Sequence, residues 1–354
     1  MAFEELIEAW DGEEVVVHRD EPTSSWMLIG IHDTTLGPAM GGTRLASYRQ
    51  PSDALDDVLR LSEAMTWKQA AADLPYGGGK AVIAVPDVPA RGSDGRRALL
   101  LRYAEVVESL HGTYVTAADM NTGEADMDTI GERTSHVLGR SMANGGSGDP
   151  GAATALGVFH GIRATVLRAF GDEALEARSV LVQGLGSVGS RLAGHLHDAG
   201  ATLLLADLDA DRATTLADAL GAKVVRADDV IGTECDVFAP CASGKVFSGD
   251  TIPSLRCRAV AGAANNQLAS PEDGDRLRDA GILFAPDFVV NAGGVIHLAG
   301  RETLGWDDAT MSLRLEAIGD SLIEVFDLAD REGISPATAA DRVARERISR
   351  ARRA

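Results

Sequence analysis

The sequence predicts a two-domain α/β protein. A chain of 354 residues exceeds the roughly 250–300 residues at which one hydrophobic core stops growing. Hydrophobic residues make up 45% of it, which excludes a disordered chain and suffices for two cores. A stretch rich in Gly, Ser and Ala at 141–155, SMANGGSGDPGAATA, separates two halves of different pattern. We therefore expect one domain over residues 1–147 and a second over 148–330, with a C-terminal helix at about 331–354 packing back on the first.

The first half mixes strands and helices. Short apolar and β-branched runs predict strands, and longer runs with apolar residues three or four apart predict helices. The predicted strands are EVVVHRD (14–20), SWMLIGIHD (25–33), AVIAVP (81–86) and GTYVTAAD (112–119). The predicted helices are SDALDDVLRLSEAMTWKQAAADL (52–74) and RRALLLRYAEVVESL (96–110).

The second half alternates more regularly. A helix opens at about residue 152, and short apolar runs then alternate with helical or loop stretches, which is typical of a parallel sheet with helices on both faces. These runs are SVLVQG (179–184), TLLLAD (202–207), KVVRA (223–227), CDVFAP (235–240), RAVAGAAN (258–265) and ILFAPD (282–287). The segment from about residue 307 to the end is predicted to be helical.

A glycine motif lies between the first strand and the first helix of this alternation. In GLGSVG (184–189), the first glycine permits a tight turn, the second lets a pyrophosphate approach the backbone, and the third allows close helix packing. The next strand ends in an aspartate placed for ribose hydroxyls, which favours NAD over NADP, although Arg212 nearby keeps NADP as the alternative. The sequence thus predicts a Rossmann-type domain whose cofactor contacts are Gly184, Gly186, Ser187, Val188, Gly189 and Asp207.

Lysine is scarce in this chain. Of its 33 basic residues only four are lysines, namely Lys68, Lys80, Lys223 and Lys245. Two of them lie twelve residues apart, and Lys80 directly follows three glycines, Gly77–Gly79. Unlike arginine, a lysine can lose its proton when its pKa falls, and then acts as a neutral base or nucleophile. Lys80 is therefore a candidate catalytic amine; an exposed lysine at a strand entrance is the alternative.

Composition excludes several classes of partner. The formal net charge of −20 leaves no basic surface for nucleic acid. No apolar stretch reaches the roughly 18 residues of a membrane span, and the acidic start is unlike a signal peptide. Three cysteines without CxxC spacing predict neither a disulfide framework nor a metal site, and favour the reducing cytoplasm. High-salt adaptation and GC-rich codon usage explain the acidic, lysine-poor composition equally well.

Several motifs together resemble the amino-acid dehydrogenases of the Glu/Leu/Phe/Val family, and most closely its leucine, valine, phenylalanine and tryptophan branch. They occur in order along nearly the whole chain: GPAMGGTR (37–44), the lysine pair with GGGK, TAAD ending at 119, GDPGAATALG (148–157), GLGSVG, AGAANNQL (261–268) and NAGGVI (291–296). The resemblance implies a homo-oligomer of two-domain subunits with the substrate in a cleft that closes on binding. It also implies reversible, NAD-dependent conversion of an L-amino acid to its 2-oxo acid and ammonium.

The resemblance also implies roles for individual residues. Lys68 would bind the substrate carboxylate, Lys80 would be the catalytic amine, and Asp119 its acid–base partner; helix capping is the alternative for Asp119. We expect two neighbouring ammonium groups to lower each other's pKa. Further residues are implied to contact the substrate, namely Met40, Gly41, Gly42, Gly77, Gly78, Asn291 and Val295. Others are implied to border the cofactor, namely Thr154 and Asn266.

The substrate side chain is expected to be apolar. Glutamate-specific relatives carry a lysine where this chain has Met40, and a buried charge there would cost several kcal/mol. We favour a leucine- or valine-like substrate, with phenylalanine or tryptophan as the alternative, and Trp67 and Tyr76 depart from the family pattern near the expected pocket. An inactive NAD-binding sensor is less favoured, because Lys68, Lys80 and Asp119 are all intact. A hydroxy-acid dehydrogenase, which needs a catalytic histidine, is less favoured because His195 and His197 lie two apart on a helix and face differently, while His111 and His297 are isolated.

Overall fold

The computed structural model of the chain describes residues 3–242 and 244–353, which divide into two compact units. The first contains the residues up to Asp149, Leu298–Gly305 and the residues from Arg345 onward. The second contains Pro150–His297 and Trp306–Ala344. The sequence did not predict that residues near 300 would belong to the first unit.

The first unit is a sheet with helices on both faces. Its strands are β1 (Glu14–Asp20), β2 (Ser25–Asp33), β3 (Ala39–Ala46), β4 (Gly77–Ala84) and β5 (Tyr114–Ala118). Its helices are α1 (Phe3–Ala9), α2 (Pro51–Ala71), α3 (Asp94–Glu108) and α4 (Glu124–Ile130). The strand order is β1-β2-β4-β3-β5, in which β3 is parallel to β4 and β5 and the other pairs are antiparallel.

Two apolar clusters hold this sheet. On one face, Leu28 and Val82 pack against Leu55 and Val58 of α2. On the other, residues of β2 and β4 such as Ile29 and Ile83 pack with α3 and α4, so that β2 is buried along almost its whole length. Both faces of the central strands are therefore covered, which explains why they read as continuous apolar runs.

Two glycine-rich segments of this unit are strands, which the sequence did not predict. GPAMGGTR contains most of β3, and the glycines before Lys80 open β4 instead of forming a loop. A Cβ on Gly78 would overlap Thr66 of α2, and one on Gly77 would overlap the carbonyl oxygen of Asp33. Glycine is needed here because the protein's own atoms fill the space of a side chain.

The second unit contains a sheet of six strands whose hydrogen-bonded pairs are all parallel. Its order is β11-β10-β9-β6-β7-β8, with β6 (Ser179–Gln183), β7 (Thr202–Ala206), β8 (Lys223–Val224), β9 (Val237–Pro240), β10 (Ala259–Val260) and β11 (Leu283–Phe284). Phe238, Phe247 and Phe284 form the aromatic centre of its core. The predicted α/β fold class is confirmed, although three of the six strands have only two residues.

Eight helices accompany the second half of the described chain. They are α5 (Gly151–Phe170), α6 (Ser187–Asp198), α7 (Ala210–Leu220), α8 (Glu272–Asp279), α9 (Asp287–Val290), α10 (Gly293–Glu302), α11 (Asp308–Glu332) and α12 (Pro336–Arg353). The last residues of α10 and α12 belong to the first unit, where Arg347 donates to the carbonyl oxygens of Ala70 and Ala71. Within the described ranges, every helix is too short or too polar to span a bilayer.

Candidate active site

The first unit brings Lys80 and Asp119 into contact. Lys80 lies on β4 and Asp119 directly follows β5, while β3 runs between these two strands. The Lys80 Nζ lies 3.1 Å from the Asp119 Oδ2, and the lysine side chain is only 7% exposed. A buried ammonium and carboxylate at this distance can exchange a proton directly, which is the geometry required of an acid–base pair.

Burial is the leading influence on the Lys80 amine. It lowers the pKa of Lys80 from its ordinary value, and the positive charge of Arg44 acts in the same direction, against the opposing effect of Asp119. The predicted mutual effect of two lysines is therefore not the leading cause. For Asp119, burial raises the pKa, but the charges of Lys80 and Arg44 outweigh it, so that the pKa of this carboxyl is lowered overall. Both shifts favour a neutral amine beside an ionised carboxylate.

Arg44 is a residue of this site that the sequence did not single out. It lies on β3 in register with Val82, two residues after Lys80, so that both side chains leave the sheet on the face covered by α2. The Arg44 Nε lies 3.1 Å from the Asp119 Oδ2. In the sequence, the only sign of a role for Arg44 was its position at the end of the GGTR stretch.

Helix capping does not account for Asp119. The first residue of α4 is Glu124, and the backbone N–H of Gly123 before it donates to Asp126 at 3.0 Å. The Asp119 carboxylate instead contacts Lys80 and Arg44. The capping alternative is therefore wrong.

Of the predicted substrate glycines, Gly42 lies against the Asp119 side chain. A Cβ on Gly42 would lie 2.8 Å from the Asp119 Cβ, so glycine leaves room for the carboxylate. The carbonyl oxygen of Gly41 accepts a hydrogen bond of 2.6 Å from the Tyr114 hydroxyl. Met40 is buried on β3, opposite Gly78 and Val115.

Lys68 lies in the last turn of α2, the helix that packs against β2 and β4 on the Lys80 face, and its side chain is partly buried. Its neighbour Trp67 lies beneath the guanidinium of Arg345, 4.3 Å from the ring centre. The binding of a substrate carboxylate by Lys68 stays a prediction.

In the second unit, the three motif glycines meet three separate requirements. Gly184 has a φ of +90°, a conformation that favours glycine. A Cβ on Gly186 would meet no atom within 4 Å, which leaves the backbone open to a ligand. A Cβ on Gly189 would overlap the carbonyl oxygen of Gly184, so glycine is needed for α6 to approach β6. Ser187 begins α6 and Val188 follows it, so the positive end of the helix dipole lies at this turn, where it favours an anion.

Asp207 follows β7 and faces this turn. Its Oδ2 accepts a 2.6 Å hydrogen bond from the backbone N–H of Leu185, and its Oδ1 accepts one of 2.9 Å from Asp209. Burial raises the pKa of Asp207, but these hydrogen bonds and the charge of Arg212 lower it overall. The lowered pKa favours the ionised carboxylate, and these hydrogen bonds fix its orientation beside the glycines.

Thr154 and the NAGG segment lie together in this unit. A Cβ on Gly294 would lie 2.9 Å from the Thr154 Oγ1, so the start of α10, which includes the partly buried Val295, packs on the start of α5. The side-chain amide of Asn291 donates to Asn265 at 2.8 Å, and its buried Oδ1 accepts no hydrogen bond from the described residues.

Asn265, which the sequence did not single out, is thus the asparagine of AANNQL in contact with Asn291. The neighbouring Asn266 is exposed, with a φ of +52°, and its carbonyl oxygen accepts from the backbone N–H of Lys245 at 2.6 Å.

Residues 3–242 and 244–353 contain no group of three or more His, Cys, Asp or Glu side chains that could hold a metal ion.

Comparison with known proteins adds the decisive observation. Residues 20–136 match the family model "Glu/Leu/Phe/Val dehydrogenase, dimerisation domain". Residues 145–211 and 202–354 match the model "Glutamate/Leucine/Phenylalanine/Valine dehydrogenase". The chain belongs to the Glu/Leu/Phe/Val dehydrogenase family. It is an oxidoreductase that acts on amino acids.

Individual relatives of this dehydrogenase resemble it along nearly their whole length. It is 42% identical to leucine dehydrogenase of Geobacillus stearothermophilus over 354 residues, covering 100% of this chain and 95% of that protein. It is 43% identical to valine dehydrogenase of Streptomyces virginiae over 344 residues, covering 96% and 94%. The crystal structure of L-tryptophan dehydrogenase from Nostoc punctiforme matches with a TM-score of 0.85 and 37% identity, covering all of both chains.

Proposed function

We propose that this dehydrogenase catalyses the NAD-dependent, reversible oxidative deamination of an apolar L-amino acid to its 2-oxo acid and ammonium. The observation that carries the proposal is the buried Lys80 amine 3.1 Å from the Asp119 carboxylate, in a chain that belongs to a family of amino-acid dehydrogenases. The substrate carbon would react beside this pair, and the bound nicotinamide would accept its hydride.

Lys80 and Asp119 would handle the protons of the reaction. Loss of hydride from Cα leaves an iminium carbon on the substrate, and the neutral Lys80 amine takes a proton from the water that attacks it. Asp119 moves protons between Lys80 and the substrate nitrogen as the C–N bond breaks and ammonia leaves. Lys68 would hold the substrate carboxylate, and Asn291 offers its unpaired Oδ1 to a donor such as the substrate ammonium.

The second unit would hold the cofactor. Gly184, Gly186 and Gly189 would place the pyrophosphate at the start of α6, and Asp207 would accept from the ribose hydroxyls. Thr154 is proposed to contact the nicotinamide amide, and Asn266 is proposed to border the cofactor. NAD is favoured over NADP because the Asp207 carboxylate would repel a 2′-phosphate, and because Arg212 lies 3.2 Å from Asp209 and 3.6 Å from Asp207, where it is already neutralised.

The substrate side chain would be apolar. Met40 is buried and uncharged, and together with Gly41, Gly42, Gly77, Gly78 and Val295 it is proposed to line the pocket, where the carboxylate of glutamate would be left without a partner. We favour leucine or valine. An aromatic substrate is the second candidate, because the L-tryptophan dehydrogenase of Nostoc punctiforme is 40% identical over the full chain.

We further propose a homo-oligomer in the cytoplasm. The family model matched by the first half is a dimerisation domain, and the three cysteines, all free, suit a reducing compartment. Light scattering during gel filtration would give the subunit number, and a monomer would contradict the proposal.

The test of the function is NADH formation by the purified protein at alkaline pH. The panel is L-leucine, L-valine, L-phenylalanine, L-tryptophan and L-glutamate, each with NAD and with NADP, at about 0.1 M and about 2 M KCl to cover both screening regimes. Lys80→Ala is the catalytic variant, and Lys223→Ala, which removes an exposed lysine of β8, is the matched control.

We expect turnover of an apolar amino acid by the wild type and the control, and none by Lys80→Ala. The ranking of substrates decides between aliphatic and aromatic side chains. Folded protein that binds NAD but turns over none of the panel would overturn the proposal and favour a cofactor-binding sensor.

A further inference from the structure

Arg44 lies at the centre of a line of alternating charges in the first unit. Beyond its contact with Asp119, its Nη1 donates to the Asp57 Oδ2 of α2 at 2.6 Å. Asp57 also accepts from the Tyr48 hydroxyl and from Arg60, each at 2.7 Å. The Arg44 guanidinium is therefore held between two carboxylates from different elements, and the side chains of Arg44 and Asp57 are only 20% and 15% exposed.

The two cations of the site contact the same carboxylate oxygen. The Lys80 Nζ and the Arg44 Nε each lie 3.1 Å from the Asp119 Oδ2. A carboxylate contacted twice through one oxygen cannot rotate without breaking both contacts. The backbone N–H of Met120 also donates to this carboxylate, which fixes its orientation further.

We propose that Arg44, clamped by Asp57, is the positioning residue of the Lys80–Asp119 pair: it orients the carboxylate and supplies a permanent positive charge beside the amine. The inference deepens the proposed function and rests on it, because it assigns a task to a residue that does not touch the reacting atoms. Arginine suits the task because its planar guanidinium reaches two carboxylates at once and stays protonated at any working pH.

The charge of Arg44 resolves a conflict within the pair. Asp119 on its own favours the ammonium form of Lys80, which cannot act as a base. The charge of Arg44 opposes Asp119 and lowers the pKa of Lys80, while the charge of Asp57 acts with Asp119. Arg44 also lowers the pKa of Asp119. The fixed charge of Arg44 thus favours both a neutral Lys80 and an ionised Asp119. Lys68, the other lysine of this unit, lies on the same helix as Asp57.

The test uses the scarcity of lysine. Protein labelled with ¹³C at the lysine ε-carbon contains only four labelled side chains, and the Lys80 signal is assigned by its loss in Lys80→Ala. Its pH titration is recorded without substrate for the wild type, Arg44→Met and Arg44→Lys. The matched control is Arg97→Met, which removes an exposed arginine paired with Glu132 at 2.6 Å in the same unit. Profiles of kcat/KM against pH are measured in parallel.

In Arg44→Met we expect the Lys80 titration and the acid limb of the kcat/KM profile to move to higher pH, with a loss of kcat on the order of 10²-fold. Arg44→Lys, which keeps the charge but loses one of the two contacts, should titrate close to the wild type and still lose kcat. Arg97→Met should match the wild type in both. Unchanged Lys80 titration and kcat in Arg44→Met would overturn the inference.

Two further results keep the inference separate from the proposed function and from folding. A wild type that turns over no amino acid would defeat the proposed function, while the NMR titration would still show whether Arg44 acts on Lys80. If Arg44→Met does not fold by circular dichroism, Asp57→Asn is measured instead. Loss of the clamp should lower kcat while the affinity for NAD stays the same, and an unchanged kcat would count against the inference.

Discussion

The candidate sites of the two units differ in composition: one consists of charged side chains, and the other is a glycine turn. In the first, charged side chains converge: Lys80, Asp119 and Arg44 meet on one face of the sheet, with Asp57 behind them. In the second, the site at Gly184–Gly189 is built on glycines. Because glycine has no side chain, backbone N–H groups and the start of a helix can face a ligand there. The first site should therefore respond to changes of charge, and the second to changes of volume.

The largest expected effect tests the need for a neutral amine in the first site. Lys80→Arg keeps a positive charge but cannot lose its proton, so kcat should fall by about 10²–10⁴-fold. Lys68→Arg should retain turnover with an altered KM, because arginine also binds a carboxylate. Steady-state kinetics of both, with Lys223→Arg as control, decide this. Substantial turnover by Lys80→Arg would mean that Lys80 acts by charge alone.

The glycine turn offers the matching test of volume. Gly189→Ala places a methyl group on the carbonyl of Gly184 and should destabilise the protein by about 1–3 kcal/mol. Gly186→Ala adds the same group where nothing lies within 4 Å, so stability should be unchanged while the KM for NAD rises roughly tenfold. Urea unfolding and NAD titration separate the two effects. Equal loss of stability in both variants would show that Gly186 is structural.

The buried amine also predicts how stability depends on pH. The unfolded chain keeps a proton on Lys80 up to its ordinary pKa of 10.5, whereas the folded chain releases it at lower pH. Between these two values the unfolded state binds more protons, so stability should rise with pH, by at most about 1.4 kcal/mol per pH unit. Asp119 stays ionised throughout this window, because its pKa is lowered.

The measurement is the urea unfolding midpoint of the wild type relative to Lys80→Met, which lacks the amine. The midpoint of the wild type should rise relative to that of Lys80→Met as pH rises from neutral towards 10.5. A difference between the two midpoints that is constant, or that changes in the opposite direction, would show that the pKa of Lys80 is not lowered in the folded protein.

The smallest effect concerns the choice between the two nicotinamide dinucleotides. Asp207→Asn preserves an acceptor for the Leu185 N–H but removes the negative charge, so the KM for NAD should rise several-fold. NADP should gain relative to NAD, because its 2′-phosphate is no longer repelled. The ratio of kcat/KM for the two cofactors measures this, and an unchanged ratio would mean that Asp207 is not at the ribose.

The second site could be predicted from local patterns in the sequence. The motif spans six residues, and two of its glycines meet local demands: Gly184 adopts a positive φ, and Gly189 leaves room for the carbonyl oxygen of Gly184. The alternating apolar runs around it likewise predicted a parallel sheet, because strands buried on both faces carry apolar residues throughout.

The first site could be predicted only in part, because the contacts that form it join residues far apart in the sequence. The scarcity of lysine drew attention to Lys80, but Arg44 is one of 29 arginines in the sequence, and nothing local connects it with Asp57 or Asp119. β3 was not predicted because GPAMGGTR is rich in glycine, which is unfavourable in an isolated strand. Pairing with β4 and β5 overrides that preference.

The sequence by itself determined the α/β class, the glycine turn with its aspartate, and the identity of the catalytic candidates, because periodicity and short motifs are local properties of a chain. Only the tertiary structure decided which charges meet. Arg44, Asp57, Lys80 and Asp119 lie up to 75 positions apart and come together through strand order and a helix packed on the sheet. The electrostatic state of a buried amine depends on that whole assembly, and short motifs in the sequence do not specify it.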